Sequence, residues 1–229
     1  MKIKFHGHAC FELTSGNTTI LIDPYISGNP LCQVKAEDLH PDAVLVSHGH
    51  GDHLGDALSI CKANRAAFVA IVDMVGQLSD AGLMKSIPSV GFSLGGTVEV
   101  GDFKIRMVPA WHGTRINCIN GYALPVGFVI SDGETTVYFA GDTALFGDME
   151  KVIARYGIDV ALLPVGGYYT MDIEDAAVAA AWLKTKTIIP MHYDTFPQIR
   201  TDLDKFKELV AKECDAKVLV LDPEEEREF

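Results

Sequence analysis

The chain has 229 residues, 48% of them apolar, with 19 Lys and Arg against 31 Asp and Glu and a net charge of −12. At this size roughly 70–75% of the unfolded surface becomes buried, so a full core forms without a disulfide or metal staple; the composition excludes disordered and low-complexity chains. The acidic balance argues against binding a phosphate backbone or an anionic membrane surface, both of which need clustered Lys and Arg.

No Pro/Ser-rich linker, charge block or repeat divides the chain, which reads as one domain over residues 1–229. Short β-rich runs open it at 2–5, 10–13 and 18–22, with Ser15-Gly16-Asn17 as a turn between the last two. Residues 43–47 form a continuous apolar run, the pattern of a strand buried on both faces. A helix follows near 56–62, then a second apolar run at 66–72 and a short helix at 74–81 closed by Gly82. Strands at 97–100 and 103–108 flank Gly101-Asp102, a hairpin signal, and strands at 126–131 and 135–140 flank Asp132-Gly133-Glu134. The second half alternates helix and strand. Residues 148–156 read as a helix with Gly157 as its C-cap, 159–163 as a buried strand, and 172–184 as an Ala-rich helix with Glu174 and Asp175 in its first turn. A strand at 187–189 precedes a helix at 201–212 in which Thr201 and Asp204 have capping-box spacing. A strand at 217–221 leads into a charged tail, 224–229, that reads as a frayed end. Hairpins plus β-α alternation in both halves predict an α/β fold of two packed mixed sheets with helices outside.

Directly after the run 43–47 stands His48-Gly49-His50-Gly51-Asp52-His53. His48 and His50 are two residues apart, so in extended chain they project the same way and can share one ion. Asp52 and His53 follow where the chain turns toward a helix, and point at a second, adjacent position. Gly49 and Gly51 supply the conformational freedom of a tight loop. Imidazole and carboxylate suit Zn²⁺, with Mn²⁺ or Fe²⁺ as alternatives; a His-rich surface turn would need no such spacing. Three later residues each sit where a predicted strand runs into a loop: His112 in Pro109-Ala110-Trp111-His112-Gly113, Asp142 in Ala140-Gly141-Asp142-Thr143, and His192 in Pro190-Met191-His192-Tyr193. Singly each is weak, since a lone His beside Trp111 is more often a packing residue. Together they place ligands at strand ends along one edge of a sandwich. His48, His50 and His112 make one site, Asp52, His53 and His192 a second, and Asp142 can bridge them. Asp23, ending the strand 18–22, is expected to fix the metal loop by accepting backbone or histidine N–H bonds, or else to close an ordinary Asp-Pro turn. Tyr193 either donates to a developing oxyanion or packs.

This set resembles the metallo-β-lactamase fold, in which H-x-H-x-D-H, a later His, a bridging Asp and a final His define a binuclear metal site. Almost the whole chain is further similar to small metal-dependent hydrolases akin to ascorbate-phosphate lactonase, through Gly7-His8-Ala9-Cys10-Phe11, Ile22-Asp23-Pro24-Tyr25, residues 47–55, 140–143, Tyr169-Thr170-Met171 and 191–197. The resemblance implies a four-layer αβ/βα sandwich and places His8 close to the metals, where it either supports a ligand or touches the substrate, or else packs; His6 reads as structural. Two stretches depart from that family: Gly113-Thr114, where a serine pair is common, and Gly166-Gly167-Tyr168-Tyr169, where an Asp often follows the first Gly. Both fall near the expected substrate pocket.

The expected activity is metal-dependent hydrolysis of an ester, lactone or phosphodiester bond of a small molecule, with two divalent ions (zinc first) holding a bridging hydroxide. Asp52 is the expected catalytic group, orienting water and passing its proton to the leaving group. One competing reading is a mononuclear-iron redox enzyme of the same fold, sulfur-dioxygenase-like, centred on His48, His50 and His112. Another is a nuclease, which the acidic charge and the lack of a basic arm disfavour. The expected partner is a small anionic or carbonyl substrate, drawn by a locally positive site; a homo-oligomer is compatible, and neither nucleic acid nor membrane is expected. Five cysteines without a C-x-x-C pair, no apolar signal core in the first twenty residues, and no apolar run near ~18 residues predict a cytoplasmic location.

Overall fold

Hairpins and buried runs assemble two seven-stranded mixed sheets in the computed structural model, which describes Met1–Phe229. In the first sheet β1 (Lys2–Gly7), β2 (Cys10–Ser15), β3 (Thr18–Ile22), β4 (Ala43–Leu45), β5 (Ala67–Ile71) and β6 (Ser89–Phe92) lie side by side in that order. The strands β7 (Thr97–Val100) and β8 (Phe103–Pro109) open the second sheet, and β9 (Arg115–Ile116) and β10 (Gly121–Tyr122) form a separate small hairpin. The strands β11 (Val126–Ser131), β12 (Thr136–Phe139), β13 (Val160–Pro164), β14 (Thr187–Met191) and β15 (Lys217–Val218) complete it, in the order β15-β14-β13-β12-β11-β8-β7. Finally β16 (Glu226–Glu228) returns to the outer edge of β1.

Strands joined by tight turns pair antiparallel and those joined by helical crossovers pair parallel; β8 and β11 are antiparallel across the long loop 110–125 that carries His112 and the β9–β10 hairpin. The β2–β3 and β7–β8 turns use Gly16 and Gly101 at φ +55° and +53°, a region that costs glycine little. The parallel strands β4 and β13 are buried at every position, as strands covered on both faces must be. Crossovers carry the helices: α1 (Gly51–Leu54) and α2 (Ala57–Asn64) after β4, α3 (Val72–Asp80) after β5, α4 (Asp148–Lys151) after β12, α5 (Ile173–Leu183) after β13 and α6 (Leu203–Glu213) after β14. One apolar cluster of 65 buried residues joins the sheets; Phe11 of β2 meets Phe139 of β12 edge-on, ring centroids 6.3 Å apart.

Strand direction positions the site. Because β1 and β3 flank an antiparallel partner and β4 runs parallel to β3, all three end at the same edge; β8, β12 and β14 do so in the second sheet by the same logic. Just past those six ends stand His8, Asp23, His48, His112, Asp142 and His192. At the opposite end the hairpin turns are tied together. Asp102 Oδ2 accepts from Asn17 N and Thr18 Oγ1, and Asp132 Oδ2 from Ser15 Oγ.

Four expectations need correction. The helix over 148–156 breaks at Val152 into α4 and a 3₁₀ turn, Ile153–Tyr156, which Gly157 closes at φ +66°. The cap of α6 is Asp202, whose carboxylate accepts from Lys205 N at 3.0 Å; the Thr201 hydroxyl instead lies 3.2 Å from the Val165 and Ile199 carbonyls. The strand at 217–221 stops at Val218. The acidic tail is not frayed. It pairs with β1 as β16, placing Glu226 and Glu224 beside Lys2 and Lys4 and Glu224 against buried His6 at 2.9 Å. The terminal ammonium of Met1 donates to Phe229 O at 2.9 Å, and Phe229 N donates to Met1 O at 2.8 Å. Deleting residues 224–229 should cost about 1–2 kcal/mol, the net worth of these bonds less the ordering entropy. Thermal unfolding should show it as a Tm lower by about 2–8 °C.

Candidate metal centre

The chain leaving β4 cannot relax into a simple loop, because Asp23 grips it. Asp23 Oδ1 accepts from Ser47 N at 2.7 Å, while Oδ2 accepts both the Ser47 hydroxyl and His53 Nδ1–H, the latter at 2.7 Å. Since Ser47 gives its proton to Asp23, its oxygen can accept from His48 Nδ1–H, 3.0 Å away. Both histidines therefore turn Nε2 inward, where a bound ion would take the place of any proton it carries. Gly49 is required: a Cβ there would lie 2.6 Å from Ile116 Cα, where the β9–β10 hairpin seats itself and Asn117 N donates to Gly49 O at 2.8 Å.

Two donor groups result. His48 Nε2 and His112 Nε2 lie 3.0 and 3.2 Å from His50 Nδ1, so three imidazole nitrogens meet where at most one can give the others a proton. The second group brings together His8, Asp52, His53 and His192, their donor atoms within 4.8 Å of one another. Asp142 stands between the groups. Its Oδ1 is 3.2 Å from His53 Nε2, and its Oδ2 is 3.1 Å from His192 Nε2, 3.4 Å from His112 Nε2 and 3.9 Å from His48 Nε2. Despite this crowding, His53 Nε2, Asp142 Oδ1 and His192 Nε2 are buried without any hydrogen bond. Buried polar atoms are seldom left so; convergent, unbonded N and O donors of this kind fit divalent ions.

Electrostatics follow the geometry. Burial would raise the Asp142 carboxyl, but His192 and His53 outweigh it and hold it well below the usual range. Burial would lower His53, but Asp142 and Asp23 outweigh it and raise it well above an ordinary histidine. Burial, reinforced by His53, pushes His48 well below the ordinary value, so it stands neutral and ready to donate a lone pair. Burial also works to raise Asp52, yet His8 and His53 keep it ionised far below the usual carboxylate range.

The backbone is strained at this edge. His8, Asp23, His192 and Asp194 all adopt positive φ, between +44° and +58°, a region that costs non-glycine residues about 1 kcal/mol or more. His192 is held there by its N–H bond to His8 O, 2.7 Å, and by Gly166, where a Cβ would come within 2.3 Å of His192 O. Gly166→Ala should therefore displace His192 and lower metal affinity by roughly 10–100-fold, measurable by calorimetric metal titration. The loops bearing His112 and Asp142 are stitched to each other, Trp111 N donating to Thr143 Oγ1 and Ala144 N to Trp111 O.

His8, which the sequence places near the metals, is fully buried within the second donor group. Burial pushes its pKa down to about 4. Neutral, it donates Nε2–H to Asp52 Oδ2 at 3.2 Å and accepts at Nδ1 from the Thr195 hydroxyl at 2.8 Å. His8→Phe should keep the metal content and lower kcat by about 10–100-fold; loss of one metal equivalent would instead make His8 a ligand. Tyr193 does not face the site. The positive φ of His192 turns the chain, and Tyr193 packs on the core, its phenol pushed up to about 12 by burial and by Asp194 and Asp222. The aromatic groups that do line the cavity over Asp52 and Asp142 are Tyr25, Tyr169 and Phe196, joined by Asn117 and Gln198.

Comparison with known proteins agrees with this geometry. Residues 2–192 match the family described as the beta-lactamase superfamily domain. A metal-dependent hydrolase of Pelotomaculum thermopropionicum is 44% identical over the full length of both chains, and one of Archaeoglobus fulgidus is 42% identical over all of this chain and 99% of its own. Among solved structures, a metallo hydrolase from the hyperthermophilic archaeon Ignicoccus hospitalis superimposes with a TM-score of 0.88 at 37% identity, covering 100% of this chain and 98% of that one. The chain belongs to the metallo-β-lactamase superfamily and, within it, to the UPF0173 family of metal-dependent hydrolases.

Proposed function

We propose that this hydrolase binds two divalent ions, zinc first, and cleaves an ester, lactone or phosphodiester bond of a small molecule. The observation that carries the reading is Asp142, a carboxylate only 2% exposed, with one oxygen facing His53 and the other facing His112 and His192. His48, His50 and His112 would hold one ion; Asp52, His53 and His192 the other, with Asp142 shared. When bound, such ions supply Lewis acidity and a nucleophilic water near neutral pH. Asp52, at 27% exposure the more open carboxylate, lies at the cavity floor, fixed by His8. Ionised, it accepts a proton from the attacking water and returns one to the leaving oxygen as the acyl or phosphoryl C–O or P–O bond breaks; water's oxygen stays on the acid product. The second donor group favours two ions over the single iron of a redox enzyme. Chelation should abolish turnover of a panel of aryl esters, lactones and bis(4-nitrophenyl) phosphate, and added Zn²⁺ should restore it. Turnover that survives complete chelation would overturn the proposal.

No helix is long and apolar enough to cross a membrane.

A further inference from the structure

The cavity above the donor groups has a volume of about 530 Å³, and no Lys or Arg lines it. Its two carboxylates, Asp52 and Asp142, both lie on the side of the donor groups, where the proposed ions would compensate their charge. The remaining wall is aromatic and amide. Tyr25 and Phe196 lie with ring centroids 6.5 Å apart and planes 34° from parallel, and half-exposed Tyr169 joins them. The Tyr25 hydroxyl is engaged by Gly28 O, so the ring is what Tyr25 offers a ligand. The exposed side-chain amides of Asn117 and Gln198 make no hydrogen bond within the protein and border the cavity, where they can meet a ligand. Lys104 and Arg106, a cationic pair bordering another cavity, sit on β8 beside Tyr156, away from the metal edge.

These features constrain the part of the substrate that does not react. An anionic group such as a phosphate or carboxylate, seated on that outer wall, would find no Lys or Arg to pair with there; the cations of the proposed centre lie on the donor-group side, where the reacting bond must sit. A flat apolar ring would find three aromatic faces, and a neutral polar group would find two free amides able to donate and accept. We propose that the substrate is an uncharged ester or lactone carrying an aromatic or similarly flat apolar group, with Tyr25, Phe196 and Tyr169 holding the ring and Asn117 and Gln198 the polar substituents. Of the anionic or carbonyl substrate expected from the metal charge, this wall favours the carbonyl alternative. The inference rests on the hydrolase reading for its reaction, and on the cavity for its substrate class.

Two measurements on the metal-loaded enzyme test it. The first compares kcat/KM for 4-acetoxybenzamide and 4-acetoxybenzoate, each corrected for its rate in hydroxide. The neutral ester should be favoured at least about tenfold, since the aromatic and amide wall offers the benzoate carboxylate no cation while its amide counterpart finds donors and acceptors. Gln198→Lys should narrow that ratio at least about tenfold by supplying the missing cation. The second is calorimetric binding of benzamide and of benzenesulfonate, a poor metal ligand. Benzamide should bind at least about tenfold tighter, and Phe196→Ala should weaken it. Equal or better use of the benzoate ester, or equal or tighter binding of the sulfonate, would overturn the substrate class and leave the hydrolase reading standing. If no ester, lactone or phosphodiester is cleaved while the benzamide preference holds, the reaction reading fails and the neutral-ligand assignment stands.

Discussion

Asp142→Ala should abolish turnover and strip both proposed metal equivalents, the largest effect expected of any single change in this protein. The carboxylate faces both donor clusters, and its two oxygens approach three imidazole Nε2 atoms within 3.4 Å. Without it, His53, His112 and His192 would surround a buried space from which the bridging anion is gone, and a divalent ion would lack its shared ligand and part of its charge compensation. The comparison with His50→Ala gives the result its meaning. His50 belongs only to the three-histidine group, so His50→Ala should abolish turnover with loss of the ion at that group. Metal analysis and kinetics on the two variants check this; a metal-loaded Asp142→Ala protein with wild-type turnover would contradict it.

Asp23→Ala should produce the second largest effect, although Asp23 touches no proposed ion. Its carboxylate satisfies Ser47 N, the Ser47 hydroxyl and His53 Nδ1, all buried. Truncation leaves those donors without partners and frees His53 to take the other tautomer. Breaking a buried pair of this kind typically costs about 3–5 kcal/mol, and loss of a ligand's outer partner costs about 10–100-fold in metal affinity. For a chain of this length the stability loss corresponds to a Tm drop of roughly 6–20 °C. Asp23→Asn should be milder in stability, because the amide can still accept from Ser47 N, yet should still disturb His53. Thermal unfolding with zinc titration separates the two contributions.

The parts of this protein that the sequence made legible are those in which chemistry is local. His48, His50, Asp52 and His53 lie within six residues at one strand end, so their spacing alone brings them together. Asp23, His112, Asp142 and His192 each follow a predicted strand, and their convergence needed only the sandwich that the hairpins and β-α alternation imply. What escaped depends on contacts distant in sequence or on irregular backbone. Asn117 reaches the cavity on a hairpin of two-residue strands, too short for any periodicity, and Gln198 sits in a 3₁₀ turn. The strand β16 is exposed at all three positions; its pairing with β1 depends on Lys2 and Lys4 more than two hundred residues away, and so its acidic run reads as a solvated tail. Tyr193 lies beside His192 in sequence but is turned away by a left-handed backbone that no propensity scale signals in a histidine. The helix at 148–156 fails at Val152, where φ of −115° breaks the helical path and β-branching makes the side chain stiff.

The central claim is that one shared carboxylate organises two ions for hydrolysis. Elemental analysis of the purified chain, read together with turnover of the ester, lactone and phosphodiester panel, tests it most directly. Two divalent ions per chain, zinc foremost, with hydrolysis proportional to metal loading, are the expected result; a protein that holds a single iron and consumes O₂, or that turns over fully with no metal at all, would rule out the shared-carboxylate centre.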